Sequence, residues 1–142
     1  MIKKIFFTVL LILSFIILYA KPKKKPTDNL PLTNTKWILE KVGDNSVFFS
    51  SDTAYIVFYE NYKFSGNFGC NIFYGEFGFG KKRINLDYFG STKKMCANMD
   101  VEKLFFKTLK TDITHYYIEK NALYLLYKLQ VVCKFTGIEI ND

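Results

Sequence analysis

The run GNFGCNIFYG, residues 66–75, sets the pattern from which the rest of the chain can be interpreted. Its glycines at positions 66, 69 and 75 permit positive φ and close backbone approach, which strands entering a tight corner need. Asn71 can hydrogen-bond the local backbone within such a turn. The run therefore predicts two strands that meet at a corner, Tyr62 to Asn67 and Cys70 to Phe77.

The same rhythm of short apolar stretches and Gly, Asn or Lys turns continues on both sides of this corner. Further strands are predicted over residues 35–42, 53–59, 83–89, 114–119, 122–128 and 131–138. Between residues 98 and 110 the apolar spacing becomes helical, with Asp100 as N-cap. We expect a mainly β (α+β) fold, a small antiparallel curled sheet or barrel of about seven or eight strands with one packed α-helix.

The amino terminus is typical of a targeting segment. Two lysines precede an apolar run from Ile5 to Ala20, whose 16 residues fall short of the ~20 that a transmembrane helix needs. Residues 1–20 are therefore interpreted as a signal peptide, but the lysine-rich stretch that follows hinders translocation and keeps an uncleaved membrane anchor open. Residues 21–31 form a basic Pro/Lys linker, and residues 32–140 form the folded domain.

The net charge of +7 lies mainly outside this domain. Six lysines flank the apolar run, which leaves 14 basic against 13 acidic residues from Thr27 onward. A nucleic-acid surface needs clustered cations, so we expect no nucleic-acid partner.

The three cysteines, Cys70, Cys96 and Cys133, allow three disulfide pairings, and their spacing does not choose among them. The first lies far beyond the apolar run, so the chain is not expected to be a lipoprotein.

Four segments, in this order, resemble the META domain, the family that includes the bacterial heat-shock protein HslJ. They are LTNTKW (residues 32–37), the run at 66–75, STKKMC (residues 91–96), and the helix carrying Glu102, Phe105, Phe106 and Leu109. The resemblance implies a barrel-like β fold with one helix, in proteins often found in bacterial envelopes, and no general reaction. It also favours a Cys70–Cys96 disulfide, since both cysteines lie in family-like segments. The family-motif residues are expected to be structural; they are Trp37, Gly66, Gly69, Asn71, Phe73, Gly75, Met95 and Glu102.

No residue set for catalysis, cofactor binding or metal binding stands out in the sequence, so none is predicted. A cysteine nucleophile would need His115 as its base, and three cysteines with His115 lack the short ligand spacing of zinc sites. Trp37, Tyr55, Tyr59, Phe73 and Phe77 are expected in the core, whereas Tyr116, Tyr117 and residues 124–127 are candidates for an exposed aromatic surface.

Our expectation is a non-enzymatic protein exported to the periplasm or cell envelope, related to stress or envelope integrity and acting through protein binding. The alternative is a small β-barrel that binds a hydrophobic ligand or lipid. The expected partner is an unidentified envelope protein in the first case and a hydrophobic ligand in the second. Residues 5–20 are a candidate tether to the inner membrane.

Overall fold

A computed structural model describes residues 29–46, 54–96, 99–110 and 113–140. The targeting segment at residues 1–20 lies outside the described residues. The elements follow in chain order: β1 (Thr35–Val42), β2 (Asn45–Ser46), β3 (Ala54–Phe58), β4 (Lys63–Phe68), β5 (Ile72–Phe79), β6 (Ile84–Ser91), α1 (Asp100–Lys110), β7 (His115–Glu119), β8 (Ala122–Tyr127) and β9 (Gln130–Glu139).

The strands form one antiparallel sheet in the order β6-β5-β4-β3-β1-β9-β8-β7, with β2 added to β1. The two outer strands meet where Arg83 lies opposite His115. Ile84 N donates to Thr114 O at 3.2 Å and Tyr116 N donates to Lys82 O at 3.0 Å across this seam. The sheet is therefore a nearly closed barrel, which confirms the predicted fold class.

The sequence pattern located the long strands well but missed β2. The predicted strands do not include the residues after Val42, whereas the chain folds back so that Val42 pairs with Asn45 and Lys41 with Ser46. Gly43 has φ 57° in this hairpin, a conformation that glycine adopts without steric cost. A two-residue strand is too short to show any alternation in sequence, which is why periodicity did not reveal it.

The barrel interior is filled by side chains. Strand residues alternate between the two faces of the sheet, and the inward set is rich in large rings. Buried residues in the interior include Trp37, Phe58, Phe64, Phe68, Phe73, Leu123, Leu125 and Phe135. Phe68 and Phe73 stack at 3.7 Å between ring centroids, and they come from the two strands that meet at the corner. The interior is thus a packed hydrophobic core.

Each end of the barrel is covered by a different segment. At one end α1 inserts Phe105, whose ring lies 4.0 Å from that of Phe68 and 6.0 Å from that of Phe135. At the other end residues 29–34 cross the opening: Leu30 N donates to Lys120 O at 2.9 Å and Asn34 N to Phe58 O at 3.0 Å. Residues 29–31, assigned to the linker on composition, are thus in contact with the barrel.

Two tyrosines expected in the core lie on the outside. Tyr55 sits between the inward-facing Ala54 and Ile56, so alternation turns its ring outward, where it is half-buried. Tyr59 follows the last residue of β3 and is exposed. Trp37, Phe73 and Phe77 are buried, as expected. Aromatic residues suit both faces of a strand, so residue type alone could not place Tyr55 and Tyr59.

Gly66→Ala tests why the motif begins with glycine. A methyl group at position 66 would overlap the Tyr55 carbonyl oxygen and the Phe73 ring, far inside van der Waals contact. We expect the free energy of unfolding, measured by urea denaturation, to fall by about 3 kcal/mol. Gly80→Ala is the matched control because nothing lies within 4 Å of its added carbon, and its effect should stay below about 1 kcal/mol. Equal effects for the two variants would contradict this account.

Candidate functional site

The corner between β4 and β5 is built on a glycine and two asparagines. Gly69 has φ 110°, a conformation that other residues rarely adopt. Its N–H donates to Asn67 Oδ1 at 2.6 Å, and Phe68 N donates to Asn71 O at 3.1 Å. The corner therefore needs glycine at position 69, as the sequence predicted, and it directs the Asn71 side chain inward.

Asn71 is buried and is bonded on every polar side-chain atom. Its main-chain N–H donates to Glu102 Oε2 at 2.8 Å, and its Nδ2 donates to Glu102 Oε1 at 2.6 Å. Its Oδ1 accepts hydrogen bonds from Thr92 Oγ1 and Lys94 N, both at 2.7 Å. Hydrogen bonds to a carboxylate are among the stronger ones in proteins. This pairing ties the corner to α1 and to the segment that leads into it.

Glu102 is an unusual carboxylate because its side chain is only 5% exposed. A buried charge is costly unless hydrogen bonds replace its hydration, and here two N–H groups of Asn71 do so. Within the described residues no buried side-chain nitrogen or oxygen lacks a partner. Glu102 thus holds the first turn of α1 against the corner, which is a structural task.

Cys70 and Cys96 form a disulfide beside this network, with 6.2 Å between their Cα atoms. The predicted pairing is confirmed. The bond closes the segment that runs from the corner through β6 to the start of α1. Disulfides are typical of proteins folded in an oxidising compartment, so this one indicates export from the cytosol.

The third cysteine, Cys133, is a free thiol in β9 and is buried. Burial raises its thiol pKa, which disfavours the thiolate that a nucleophile requires. Its side chain faces the core, whereas His115 lies beside Arg83 at the seam and its Nδ1 is 2.9 Å from Thr114 Oγ1. Cys70 and Cys96 are bonded to each other, so their sulfurs are not free to act as zinc ligands with Cys133 and His115. In the part of the chain that the structure describes, no three His, Cys, Asp or Glu residues are grouped to hold a metal ion.

The remaining motif residues occupy different surroundings. Trp37 is in the core and donates from Nε1 to Leu32 O at 2.9 Å. Gly75 is half-buried next to an irregularity in the β5–β6 pairing, and Met95 is exposed beside Cys96. The sequence did not show that Thr92 and Lys94 N bind Asn71. A threonine four residues before a cysteine carries no signal of that contact.

The outer surface of β7, β8, β9, β1 and β3 carries a polar and aromatic strip, which we call the tyrosine face. Tyr117 and Tyr124 stack there with 4.4 Å between centroids and an interplanar angle of 11°. The strip continues through Lys134 and Glu40 to Tyr55, over whose ring Lys36 Nζ lies at 4.6 Å. Tyr117 was predicted to be exposed and is; Tyr116, predicted with it, is half-buried and packs against the core.

An ion pair lies at the centre of the tyrosine face. Lys134 Nζ is 2.7 Å from Glu40 Oε2, and Thr136 Oγ1 donates to Glu40 Oε1. The hydrogen bond from Lys134 is the main cause that lowers the pKa of Glu40, and the bond from Thr136 adds to it. The bond between Lys134 and Glu40 also raises the pKa of Lys134. The contribution of Glu40 to stability is lost as pH falls through its lowered pKa, and that of Lys134 as pH rises through its raised pKa. The pair is therefore intact across the neutral range.

A groove of about 450 Å³ lies at the seam, between β6 and the carboxyl end of α1. Its lining is mixed: Leu86 and Leu109 are apolar, while Asp87 and Lys110 are charged. The groove lies between the edge of the sheet and the helix and does not lead into an open barrel. Among the helices of the described residues, none has the length and apolar character to span a bilayer.

Glu102→Gln tests the buried network. An amide can offer its oxygen to only one of the two Asn71 donors and turns an N–H group toward the other. We expect the free energy of unfolding to fall by about 2–3 kcal/mol in urea denaturation.

Asp100→Asn is the matched control, because it makes the same change in the first turn of α1. The Asp100 carboxylate is exposed and lies 4.0 Å from Lys103 Nζ. Removing this charge should lower the free energy of unfolding by less than about 1 kcal/mol. A similar cost for both variants would show that Glu102 has no special part.

The disulfide has its own test. Cys70→Ser combined with Cys96→Ser opens a loop with a sequence separation of 26, which should lower stability by about 3.5 kcal/mol. Reducing agent should destabilise the unmodified protein similarly and leave the double variant unchanged. Peptide mass analysis without reduction should recover a linked Cys70–Cys96 peptide, and three free thiols would refute the bond.

Comparison with known proteins agrees with the fold. A solved NMR structure shares 23% sequence identity with this chain, with a TM-score of 0.62, over 78% of this chain and 94% of its own. An NMR structure of a protein from Burkholderia xenovorans shares 17% identity, with a TM-score of 0.58, over 83% of this chain and 99% of its own. These likenesses concern the fold alone.

No curated protein sequence matches the chain. The sequence model of the META domain family, however, matches residues 30–138. This span runs from the segment that crosses one end of the barrel to the last residues of β9. It includes the glycine corner, both disulfide cysteines and the helix that carries Glu102. The chain therefore belongs to the META domain family.

Proposed function

We propose that this META domain protein is exported to the cell envelope and works there by binding another protein, in support of envelope integrity under stress. In this proposal it is not an enzyme. The observation that carries the proposal is the tyrosine face: a rigid outer surface of stacked tyrosines beside an ordered ion pair, on a barrel whose interior is filled.

The composition of the tyrosine face suits a protein partner. Tyrosine presents a large contact area with few rotatable bonds, so little entropy is lost when it is bound. Tyr117 and Tyr124 are further fixed by their strands, which pair directly at these two positions. Glu40 and Lys134 would add a charge pattern that favours a complementary surface and opposes a wrong one.

Export is supported by two independent features. The disulfide favours an oxidising compartment. The apolar run at residues 5–20 has the length and flanking lysines of a signal segment. Periplasm or inner-membrane surface is the location we propose, and fractionation with protease protection in intact cells would test it.

The alternative, a barrel that binds a hydrophobic ligand, has less support. Trp37, Phe73 and Phe135 with their neighbours occupy the interior where such a ligand would lie. The seam groove has charged residues in its lining, whereas sites for hydrophobic ligands are predominantly apolar. A surface function is therefore the better supported of the two.

Photocrosslinking in intact cells tests the proposed surface. A photoreactive phenylalanine analogue at position 124 should yield one discrete protein adduct, whose partner is identified by mass spectrometry. Tyr117→Ala in the same chain should reduce this adduct by about 30-fold, as expected for loss of an aromatic hot spot. The analogue at position 74, an exposed tyrosine on β5, is the control and should not give the adduct.

Two results would contradict the proposal. One is an adduct that forms equally from positions 74 and 124, which indicates collision and not binding. The other is an adduct that Tyr117→Ala leaves unchanged while circular dichroism shows a normal fold, since the tyrosine face would then have no part in it.

A further inference from the structure

One end of the barrel brings together the turns of three hairpins and the first described residues of the chain. The β5–β6 turn contacts β7 through the bond from Tyr116 N to Lys82 O, and the β7–β8 turn contacts Leu30 through Lys120 O. Residues 29–34 then lead to the β3–β4 hairpin, where Asn34 N binds Phe58 O. The opposite end carries the glycine corner and α1. The chain thus enters the domain at the end that holds these three turns.

Two large rings are exposed at this end. Tyr62, in the β3–β4 turn, is 58% exposed, and Phe79, at the end of β5, is 50% exposed. Their ring centroids are 5.9 Å apart, and both rings rest on the buried Phe77. Tyr62 adopts φ 62°, an uncommon conformation for a residue other than glycine. Exposed rings that lie side by side in this way are typical of interaction sites.

Three cations directly follow Phe79 in the β5–β6 turn. Lys81, Lys82 and Arg83 are all exposed, and no carboxylate occurs between Phe77 and Asn85. Arg83 lies beside His115, and these residues with Gly80 line a shallow concavity. We call the group formed by Tyr62, Phe79, Lys81, Lys82 and Arg83 the basic end.

Carboxylates are also present at this end of the sheet, and Glu60 is one of them. Glu60 accepts a hydrogen bond from Asn34 Nδ2 at 3.3 Å, and Glu76 lies opposite Lys63 in the β4–β5 register. Glu119 and Glu139 end β7 and β9. None of these four belongs to the turn that carries the three cations. Within the β5–β6 turn the charge is therefore wholly positive, and this turn directly follows Phe79.

We propose that the basic end docks on an anionic lipid surface. Lys81, Lys82 and Arg83 would contact headgroup phosphates, and Tyr62 and Phe79 would insert to the depth of the headgroups. Aromatic rings favour this interfacial layer, and each cation near an anionic membrane adds attraction that salt weakens. The occupant is inferred from charge complementarity and from the pairing of rings with cations.

The position of the chain entry supports the same orientation. The apolar run ends at Ala20, and residues 21–28, which include four lysines, can extend over at most about 28 Å before Asn29. An anchored chain would therefore hold the basic end close to the bilayer. The tyrosine face lies on the side of the barrel, so it would stay accessible to a protein partner. The inference goes beyond the proposed function and does not depend on that partner.

Tryptophan reporters in the full-length chain test the docking. Phe79→Trp places a fluorophore in the basic end, and Leu129→Trp places one in the β8–β9 turn, at the opposite end, where Leu129 is 92% exposed. Both chains are reconstituted in vesicles of phosphatidylglycerol and phosphatidylcholine that contain brominated acyl chains, which quench nearby tryptophan. The native Trp37 is buried and gives a common background. We expect quenching of Phe79→Trp and not of Leu129→Trp.

Charge reversal separates docking from simple tethering. Lys81→Glu with Lys82→Glu, added to the Phe79→Trp chain, should lower the ratio of docked to undocked barrel by at least about tenfold. Lys93→Glu with Lys94→Glu makes the same change near the opposite end and should leave quenching unchanged. High salt, or vesicles of phosphatidylcholine alone, should reduce quenching as Lys81→Glu with Lys82→Glu does.

Three outcomes would overturn the proposal. Equal quenching of the two reporters would show that the barrel has no fixed orientation on the bilayer. If Phe79→Trp is still quenched after Lys81→Glu and Lys82→Glu, the tether alone holds this residue near the bilayer. Equal quenching with and without phosphatidylglycerol would exclude recognition of anionic headgroups. Circular dichroism of each variant checks that the barrel is folded.

Discussion

The contact between Glu102 and Asn71 is the interaction on which the arrangement of α1, the β4–β5 corner and the disulfide depends. The carboxylate accepts hydrogen bonds from the main chain and the side chain of Asn71, and so joins α1 to the β4–β5 corner. With α1 fixed there, Phe105 can enter the end of the barrel and contact Phe68. The Asn71 oxygen in turn holds the segment at Thr92 and Lys94, which positions Cys96 for its bond to Cys70. Helix, corner and disulfide therefore form one unit.

Much of this fold could be predicted from the sequence, because its long strands obey local rules. Alternation located β6, and the glycines at 66 and 69 marked the corner between β4 and β5. The family resemblance identified the disulfide pair. These features depend on residues close together in the chain or on segments recognisable as such. By contrast, Asn71 and Glu102 are 31 residues apart, and no local pattern indicates that they meet.

The candidate surfaces were harder to predict for a related reason. Tyr55 differs little in type from buried aromatic residues, and only the folded sheet shows that it faces outward on the same surface as Tyr117. Glu40 reaches Lys134 across a bulge in the β1–β9 pairing, which shifts the register by one residue. Tyr62, in the β3–β4 turn, and Phe79, at the end of β5, become neighbours only when β4 and β5 pair. Surface function in such a barrel is thus determined by register.

The pairing of β1 with β9 has a consequence for when the domain can fold. Thr35, near the start of the domain, lies opposite Glu139, near its end, so the sheet cannot be completed until the last strand is available. Contacts between such distant residues make folding slow, because the chain loses much entropy before they form. A nascent chain that lacks β9 leaves β1 and β8 without their shared neighbour and the core open to solvent. The strand order therefore makes β9 the element that completes the sheet, and the domain can reach its folded state only after that strand is available.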